Sequence, residues 1–369
     1  MEDGMDAMLR YAVIGVGLMG QEHCANLLAL RKLGYAIEVV ALADPHEPSS
    51  RAALHVVGSQ WAPRVYTDFK QMLQTEQELD VVIVATPNFH HVHVLRYLLP
   101  QFPRLHVLCE KPMATTLDDC REIVQLCSAR PGVFWIGLEY RYMPPIARLI
   151  ELARAGTVGT VRQVAIREHR FPFLVKVNDW NRFSRNTGGT LVEKCCHFFD
   201  LMNEIAQDAP LSVYASGAQD VNHLDERYNG ETPDILDNAF VVVNYSRGLR
   251  AMLDLCMFAE ASQNQEEVCV VGDLGKLEAF LPSHELRTGL RGNHALSAVE
   301  VVHVRERAVT YAGHHYGSSQ LEHMDLYQVI QTKQPARVGP HNGLLSVAMG
   351  IAAHLSITQQ RVVRMAELL

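Results

Sequence analysis

Short apolar runs recur through the first part of the chain, each closed by glycine, proline or a charged residue: "RYAVIGVG" (10–17), "IEVVALADP" (37–45), "DVVIVATPN" (80–88), "HVLCEKP" (106–112) and "GVFWIGLEY" (132–140). Segments of helical character separate them, among them 90–99, 116–129 and a stretch carrying Leu27, Leu28 and Leu30 on its apolar side. Apolar strands alternating with helices predict a parallel sheet covered on both faces.

The pattern changes after about residue 140. A helix-like segment, 144–155, precedes "TVRQVAIREHRF" (160–171), which alternates like a half-buried strand. A helix is expected to begin near residue 190. Strand-like runs then dominate, at 211–218, 236–246, 249–258, 267–272 and 299–304, and helices at about 320–332 and 341–367 close the chain. The segment 219–235 reads as a long loop. These patterns predict an α/β protein of two domains, 1–140 and 141–369, the second built on a large, predominantly antiparallel sheet, with the last helix free to pack back on the first domain.

The first apolar run ends in "GVGLMG", which places Gly15, Gly17 and Gly20 in a G-x-G-x-x-G pattern with Leu18 and Met19 between them. The motif follows a predicted strand and opens a predicted helix, the context a dinucleotide fingerprint needs. Gly15 permits the tight turn, Gly17 lets backbone approach a pyrophosphate, and Gly20 lets helix and strand pack closely. The helix N-terminus offers free N–H groups to phosphate. Asp44 ends the second strand, where a carboxylate accepts both hydroxyls of the adenosine ribose and repels a 2′-phosphate. No arginine follows before Arg51, so the pattern favours NAD over NADP.

Composition narrows the rest. The 369 residues carry 33 Lys plus Arg against 41 Asp plus Glu, a formal charge of −8, and no long basic run, which argues against a nucleic-acid partner. The start, "MEDGMDAMLRYAVIGV", is acidic where a signal peptide is basic, and no stretch suits a membrane span. Eight scattered cysteines without a CxxC pair suggest reduced thiols, hence the cytoplasm.

"GVGLMG", then "ATPNFHH" (85–91), then "EKP" (110–112), then two glycines and a helix ending in His197, follow one another in order. In order and spacing, over nearly the whole chain, this resembles the glucose–fructose oxidoreductase / inositol dehydrogenase (Gfo/Idh/MocA) superfamily. The resemblance implies an N-terminal Rossmann domain followed by an α/β domain whose open sheet face commonly makes a subunit interface, hence a homodimer or homotetramer. It implies that Thr86, Pro87, Asn88 and His91 line the cofactor. Glu110 would lie near the nicotinamide ribose and Lys111 near the reacting carbon, ahead of a Lys–Pro bond that is often cis in the family. The second-domain motif usually has GG, an aspartate, and a histidine four residues later. Here His197 takes the histidine position, Glu193 replaces the aspartate, and Cys195 stands where many members have glycine.

"GGTLVEKCCHFFD" (188–200) therefore admits three readings. Thr190-x-x-Glu193 fits a capping box. Cys195, Cys196 and His197 diverge around a helix, so a metal site would need distant ligands, and none is expected. The resemblance makes His197 catalytic, with Glu193, four residues earlier on the same face, either orienting it or only capping the helix. Upstream, "VNDWNRFSRNTGG" (177–189) offers a substrate wall in which Trp180 lies on a sugar face while Asp179, Arg182 and Asn186 bind hydroxyls. Tyr140 and Arg141, after the last strand of the first domain, are further substrate candidates. The "HHVH" histidines suggest a surface or cofactor-facing role rather than a metal. His314 and His315 have no assigned role, and His323 is a candidate to reach the pocket.

The expected chemistry is hydride transfer from a secondary alcohol of a sugar, inositol or glycoside to NAD. Lys111 stabilises the reacting oxygen and His197 takes the proton. The alternatives are a glycoside-cleaving enzyme that recycles its NAD, and a non-enzymatic NAD-binding sensor. Retention of both Lys111 and His197 argues against the sensor.

Overall fold

A computed structural model describes residues 7–292 and 298–369. The chain forms two compact units. The first runs up to Glu139 and adds Lys176–Asn178 and Ala308–Leu344. The second comprises Tyr140–Val175, Asp179–Arg307 and Leu345–Leu369.

The first unit is built on six parallel strands: β1 (Leu9–Ile14), β2 (Ile37–Ala43), β3 (Arg64–Tyr66), β4 (Val81–Val84), β5 (His106–Glu110) and β6 (Phe134–Gly137). Their order is β3-β2-β1-β4-β5-β6. The central strands are buried on both faces, which is why they read as unbroken apolar runs rather than alternating ones. Between them lie α1 (Leu18–Lys32), α2 (Glu47–Val57), α3 (Phe69–Thr75), α4 (Asn88–Gln101) and α5 (Leu117–Cys127). The strand order reverses between β1 and β4, so the loops leaving these two strands flank the crevice where ligands bind such sheets.

The segment Ala308–Leu344 returns to this unit, so the unit takes in the helix near 320–332, which the pattern of elements places in the second domain, as well as the start of the last helix. Its helix Ser318–Thr332 packs on α1, with Tyr327 edge-on to Tyr35 at 5.0 Å between ring centroids. The apolar surface of that helix is satisfied equally well by any apolar partner, so its address is not written in its periodicity.

The second unit contains α6 (Pro144–Arg154), β7 (Val161–His169), α7 (Ser184–Thr187), α8 (Thr190–Glu193) and α9 (Cys196–Ala206). Seven long or medium strands follow: β8 (Pro210–Ala218), β9 (Asn238–Tyr245), β10 (Arg250–Cys256), β11 (Glu266–Gly272), β12 (Gly275–Leu281), β13 (Glu285–Leu290) and β14 (Val299–His303). The closing helix Pro340–Gln359 leads to the two-residue β15 (Val363–Arg364). The nine strands run β14-β13-β12-β11-β7-β10-β9-β8-β15, antiparallel except for the β7–β10 pair. Strands β12 and β13, whose hairpin turns at Pro282, are not among the strand-like runs expected from the sequence, and the residues expected to end the closing helix form β15 and a 3-10 turn, Met365–Glu367.

The middle of the sheet alternates, β9 most strictly. Along β9, Ala239, Val241, Val243 and Tyr245 are buried, while Phe240, Val242 and Asn244 face outward. Helices α6 and α9 pack on its strands. No helix among the described residues is long and apolar enough to cross a membrane.

Candidate active site

In the first unit, the glycine motif closes on the neighbouring loop. Gly15 has φ +83°, and a Cβ there would stand 2.5 Å from the backbone N of Thr86. A Cβ on Gly20 would meet the carbonyl oxygen of Gly15 at 2.1 Å, so only glycine lets α1 start this close to β1. Gly17 differs: a Cβ there meets nothing within 4 Å, because the space beside it is open. Gly17 is the N-cap of α1 and supplies no side chain, so the first N–H groups of the helix have no side-chain cap. Leu18 is exposed and Met19 half-buried in that first turn.

Asp44 follows β2. Its Oδ2 accepts from Val16 N and its Oδ1 from His46 N, both at 2.8 Å. The carboxylate is thereby fixed against the glycine loop, with a lone pair left on each oxygen. On the other side of the crevice, Thr86 Oγ1 and Asn88 Nδ2 are buried without a protein hydrogen-bond partner. An open phosphate space, an uncapped helix N-terminus, an oriented carboxylate and two unmatched polar atoms fit a bound dinucleotide. Buried polar atoms are rarely left unpaired otherwise.

His91 does not face that space as a free ligand. It is fully buried, with Nδ1 2.8 Å from Pro112 O and Nε2 2.9 Å from Thr86 O. Burial lowers its pKa, so the ring is held neutral and donates to one carbonyl at a time. Its role is to tie the "ATPN" loop to the turn after β5, where the Lys111–Pro112 peptide is cis. His90, exposed, and His93 are ring neighbours, and no metal-binding cluster occurs among the described residues.

At the end of β5, Lys111 is half-buried and Glu110 is buried. Glu110 Oε1 accepts from His23 Nε2 at 2.8 Å, and Oε2 lies 3.2 Å from Lys111 N. Burial acts to raise the Glu110 pKa, but the hydrogen bond and charge of His23 outweigh it and lower it to about 2. His23 Nδ1 is in turn 2.9 Å from Nε2 of His323. His323, a candidate for the pocket, is therefore fully buried behind Glu110, and burial keeps it neutral. Sequence reasoning missed His23, which lies on α1 among residues that read only as a helix face.

In the second unit, the helix expected from residue 190 is broken. α8 ends at Glu193 and α9 begins at Cys196, so Glu193 and His197 lie on successive helices rather than one face. The capping box does not form. Gly189 is the N-cap, and Thr190 Oγ1 instead donates to Leu236 O at 2.6 Å. Both glycines have positive φ, +80° and +85°. A Cβ on Gly189 would overlap His354, whose Nε2 accepts from Leu191 N at 3.1 Å. Burial lowers the His354 pKa to about 4, which keeps that nitrogen free to accept. His354 lies in the closing helix, and nothing in its local sequence marks it.

His197 is 1% exposed, and its imidazole lies flat on the Tyr140 ring, 4.0 Å between centroids and 9° between planes. Tyr140 OH accepts from Lys194 Nζ at 2.5 Å. Lys194 pairs with Glu168 Oε1 at 2.9 Å, and Arg170 reaches the same oxygen at 3.2 Å. Glu266, register-paired with Glu168, is pushed up to about 7 by burial and by the Glu168 charge. Glu193, Cys195 and Cys196 are all buried.

The expected substrate wall is largely committed elsewhere. Arg141 grips Asp200 with two nitrogens and Glu204 with a third contact at 2.9 Å. Arg182 is buried on Glu226 and Asn181. Asn186 Nδ2 donates to Trp180 O at 2.8 Å, and Trp180 is half-buried. Tyr140, Arg141 and Arg182 thus spend their polar groups on protein rather than holding them out for substrate hydroxyls. Their partners are distant in sequence, which is why the local motif suggested otherwise.

An oxidoreductase family model with an NAD-binding Rossmann fold matches residues 9–138, and its C-terminal α/β domain model matches residues 150–365. A Thermotoga maritima protein named myo-inositol 2-dehydrogenase is 24% identical over 364 residues, 98% of this chain and all of that one. The 2,7-anhydro-N-acetylneuraminate hydratase of Mediterraneibacter gnavus is 25% identical over 66% of this chain and 60% of its own. Among solved structures, levoglucosan dehydrogenase in complex with NADH and levoglucosan superposes with a TM-score of 0.82 at 16% identity, covering 97% of this chain and 100% of that one.

Proposed function

Because this chain belongs to the Gfo/Idh/MocA oxidoreductase family, we propose that it oxidises a ring secondary alcohol of a polyol, sugar or glycoside, with Lys111 and His197 as the reacting side chains. The observation that carries this reading is the cradle at Gly17, open and uncapped, in the unit where Lys111 directly follows β5. The Gly15–Gly20 turn, Asp44, Thr86 and Asn88 would hold NAD, which would supply the hydride acceptor. Lys111 donates a hydrogen bond to the substrate oxygen as negative charge develops on it. His197 removes the hydroxyl proton, so each turnover yields one carbonyl, one NADH and one proton. Glu193 ends the helix before the one that carries His197, so the orienting role suggested by a single shared helix face loses its basis.

Names among the relatives supply the substrate panel: myo-inositol, D-apiose, levoglucosan and 2,7-anhydro-N-acetylneuraminate. NADH absorbance at 340 nm with one of the first three is the expected result, and no NADH with any cyclic polyol or sugar contradicts it. A second reading, redox-neutral turnover with recycled NAD, is favoured by the hydratase relatives. It is recognised by product formation without net NADH.

The outer face of the second unit's sheet supports a homodimer or homotetramer. Tyr214, Val242 and Met252 stand in one row across β8, β9 and β10, all exposed, with Phe240 60% exposed alongside. Light scattering at micromolar concentration tests this, and a monomer contradicts it. None of the eight cysteines is joined in a disulfide, which supports a cytoplasmic location.

A further inference from the structure

We propose that Tyr140 is a positioning residue for His197, and that Lys194 and Glu168 hold Tyr140 in place from behind. This rests on the assignment of His197 as the base.

Four observations support it. The His197 and Tyr140 rings are parallel at 4.0 Å, so the phenol ring forms the floor on which the imidazole plane is set. Tyr140 is anchored through its oxygen by the Lys194 ammonium at 2.5 Å, and that ammonium also lies 4.8 Å from the centre of the ring. Lys194 is anchored by Glu168 at 2.9 Å, and Glu168 is shared with Arg170. Lys194 is the C-cap of α8 and sits at the break before α9, so the interruption that turns its side chain inward also sets the start of the His197 helix.

The arrangement is a costly way to hold a ring for stability alone. Glu168 and Lys194 are buried, and replacing such a pair with apolar groups of similar volume is often neutral or stabilising. What the pair provides is geometry: a fixed phenol, and through it a fixed imidazole. The ring face beneath His197 also favours the cationic imidazolium that forms when the proton is taken. Tyr140 touches neither substrate nor cofactor in this account. It acts only through His197, and so replaces the substrate-binding role that its position after β6 suggested.

The test uses the full-length protein with NAD and the panel of myo-inositol, D-apiose and levoglucosan. Tyr140→Leu removes the floor and should lower kcat roughly tenfold to a hundredfold, the scale of a displaced reacting group, with KM for NAD unchanged. Tyr140→Phe keeps the floor but loses the anchor, and should show a much smaller loss. Lys194→Met, which also loses the Glu168 contact, should cost at least as much as Tyr140→Phe, and the double variant should be no worse than Lys194→Met, because the Lys194–Tyr140 contact is common to both. If His197→Ala abolishes turnover while Tyr140→Leu leaves kcat unchanged, this inference is overturned and the role of His197 stands. If His197→Ala is fully active, the functional reading itself fails.

A second readout needs no substrate. The imidazole carbon-bound proton signals of His197, identified by their loss in His197→Ala, should lie upfield from the Tyr140 ring current. They should move downfield in Tyr140→Leu and stay in Tyr140→Phe. Unmoved signals in a folded Tyr140→Leu protein contradict the proposal, and should that variant not fold, the Lys194→Met and Tyr140→Phe cycle decides.

Discussion

The cradle after β1 is shaped by backbone, whereas the surroundings of His197 are shaped by buried charged side chains. In the first, Gly15 and Gly20 are required because a Cβ would strike backbone, and Gly17 leaves open space beside it. In the second, Tyr140, Lys194, Glu168 and Arg170 form a continuous polar rail, and Arg141, Asp200 and Glu204 form another beside it. A backbone site tolerates many side chains outside its few glycines. A side-chain site fails wherever one partner is removed. The two should therefore break in different ways.

The largest effect expected is at the second rail. Arg141→Met leaves Asp200 buried without its cation and should cost about 3–5 kcal/mol. Denaturant unfolding checks this, and a loss under about 1 kcal/mol would mean the network is not shared as drawn. The cradle should break at the level of affinity instead. Gly17→Val places a branched side chain in the phosphate space and should weaken NAD binding at least a hundredfold, about 2.7 kcal/mol, with little change in melting temperature. Equal affinity by calorimetry would show that the pyrophosphate lies elsewhere.

That contrast also explains what the sequence discloses. Gly15, Gly17 and Gly20 are close in the chain, and the turn they make follows from backbone geometry, so the glycine turn is legible in the sequence. The parallel strands were equally plain, being buried on both faces. The His197 region was not. Lys194 looked like one polar residue in an apolar run, and its partner Glu168 lies on a strand that reads only as alternating. Thr190 and Glu193 matched a capping box, but Gly189 took the cap and Thr190 turned to Leu236. Arg141 and Arg182 looked available because their carboxylates are distant in sequence. The segment Ala308–Leu344 carries helical periodicity but no mark of the α1 surface it covers.

The side-chain half also predicts a pH signature that the cradle does not share. Glu266 titrates near 7 in the folded protein, above its ordinary value, because burial and then Glu168 disfavour its charge. Between the ordinary glutamate range and about pH 7, the folded state holds a proton that the unfolded state has lost. Stability should therefore fall as pH rises through that window. Glu266→Gln should flatten the slope, measured as melting temperature from pH 5 to pH 8. An unchanged slope in the variant would assign the titration to another group.

The smallest effect sharpens the cradle. Asp44, held by Val16 and His46, should make NAD bind about tenfold tighter than NADP, about 1.4 kcal/mol. Asp44→Asn should narrow that ratio, and equal binding of the two cofactors by the unaltered protein would contradict the reading.

The proposed function depends on the Gly15–Gly20 turn holding NAD and on His197 taking the substrate proton. The most direct test pairs two measurements on His197→Ala: turnover with the best substrate of the panel, and calorimetric titration with NAD. The expected result is a kcat about a hundredfold to ten-thousandfold lower, the usual size of a lost general base, with NAD affinity unchanged. Near-normal turnover, or an NAD affinity that falls together with kcat, would contradict it.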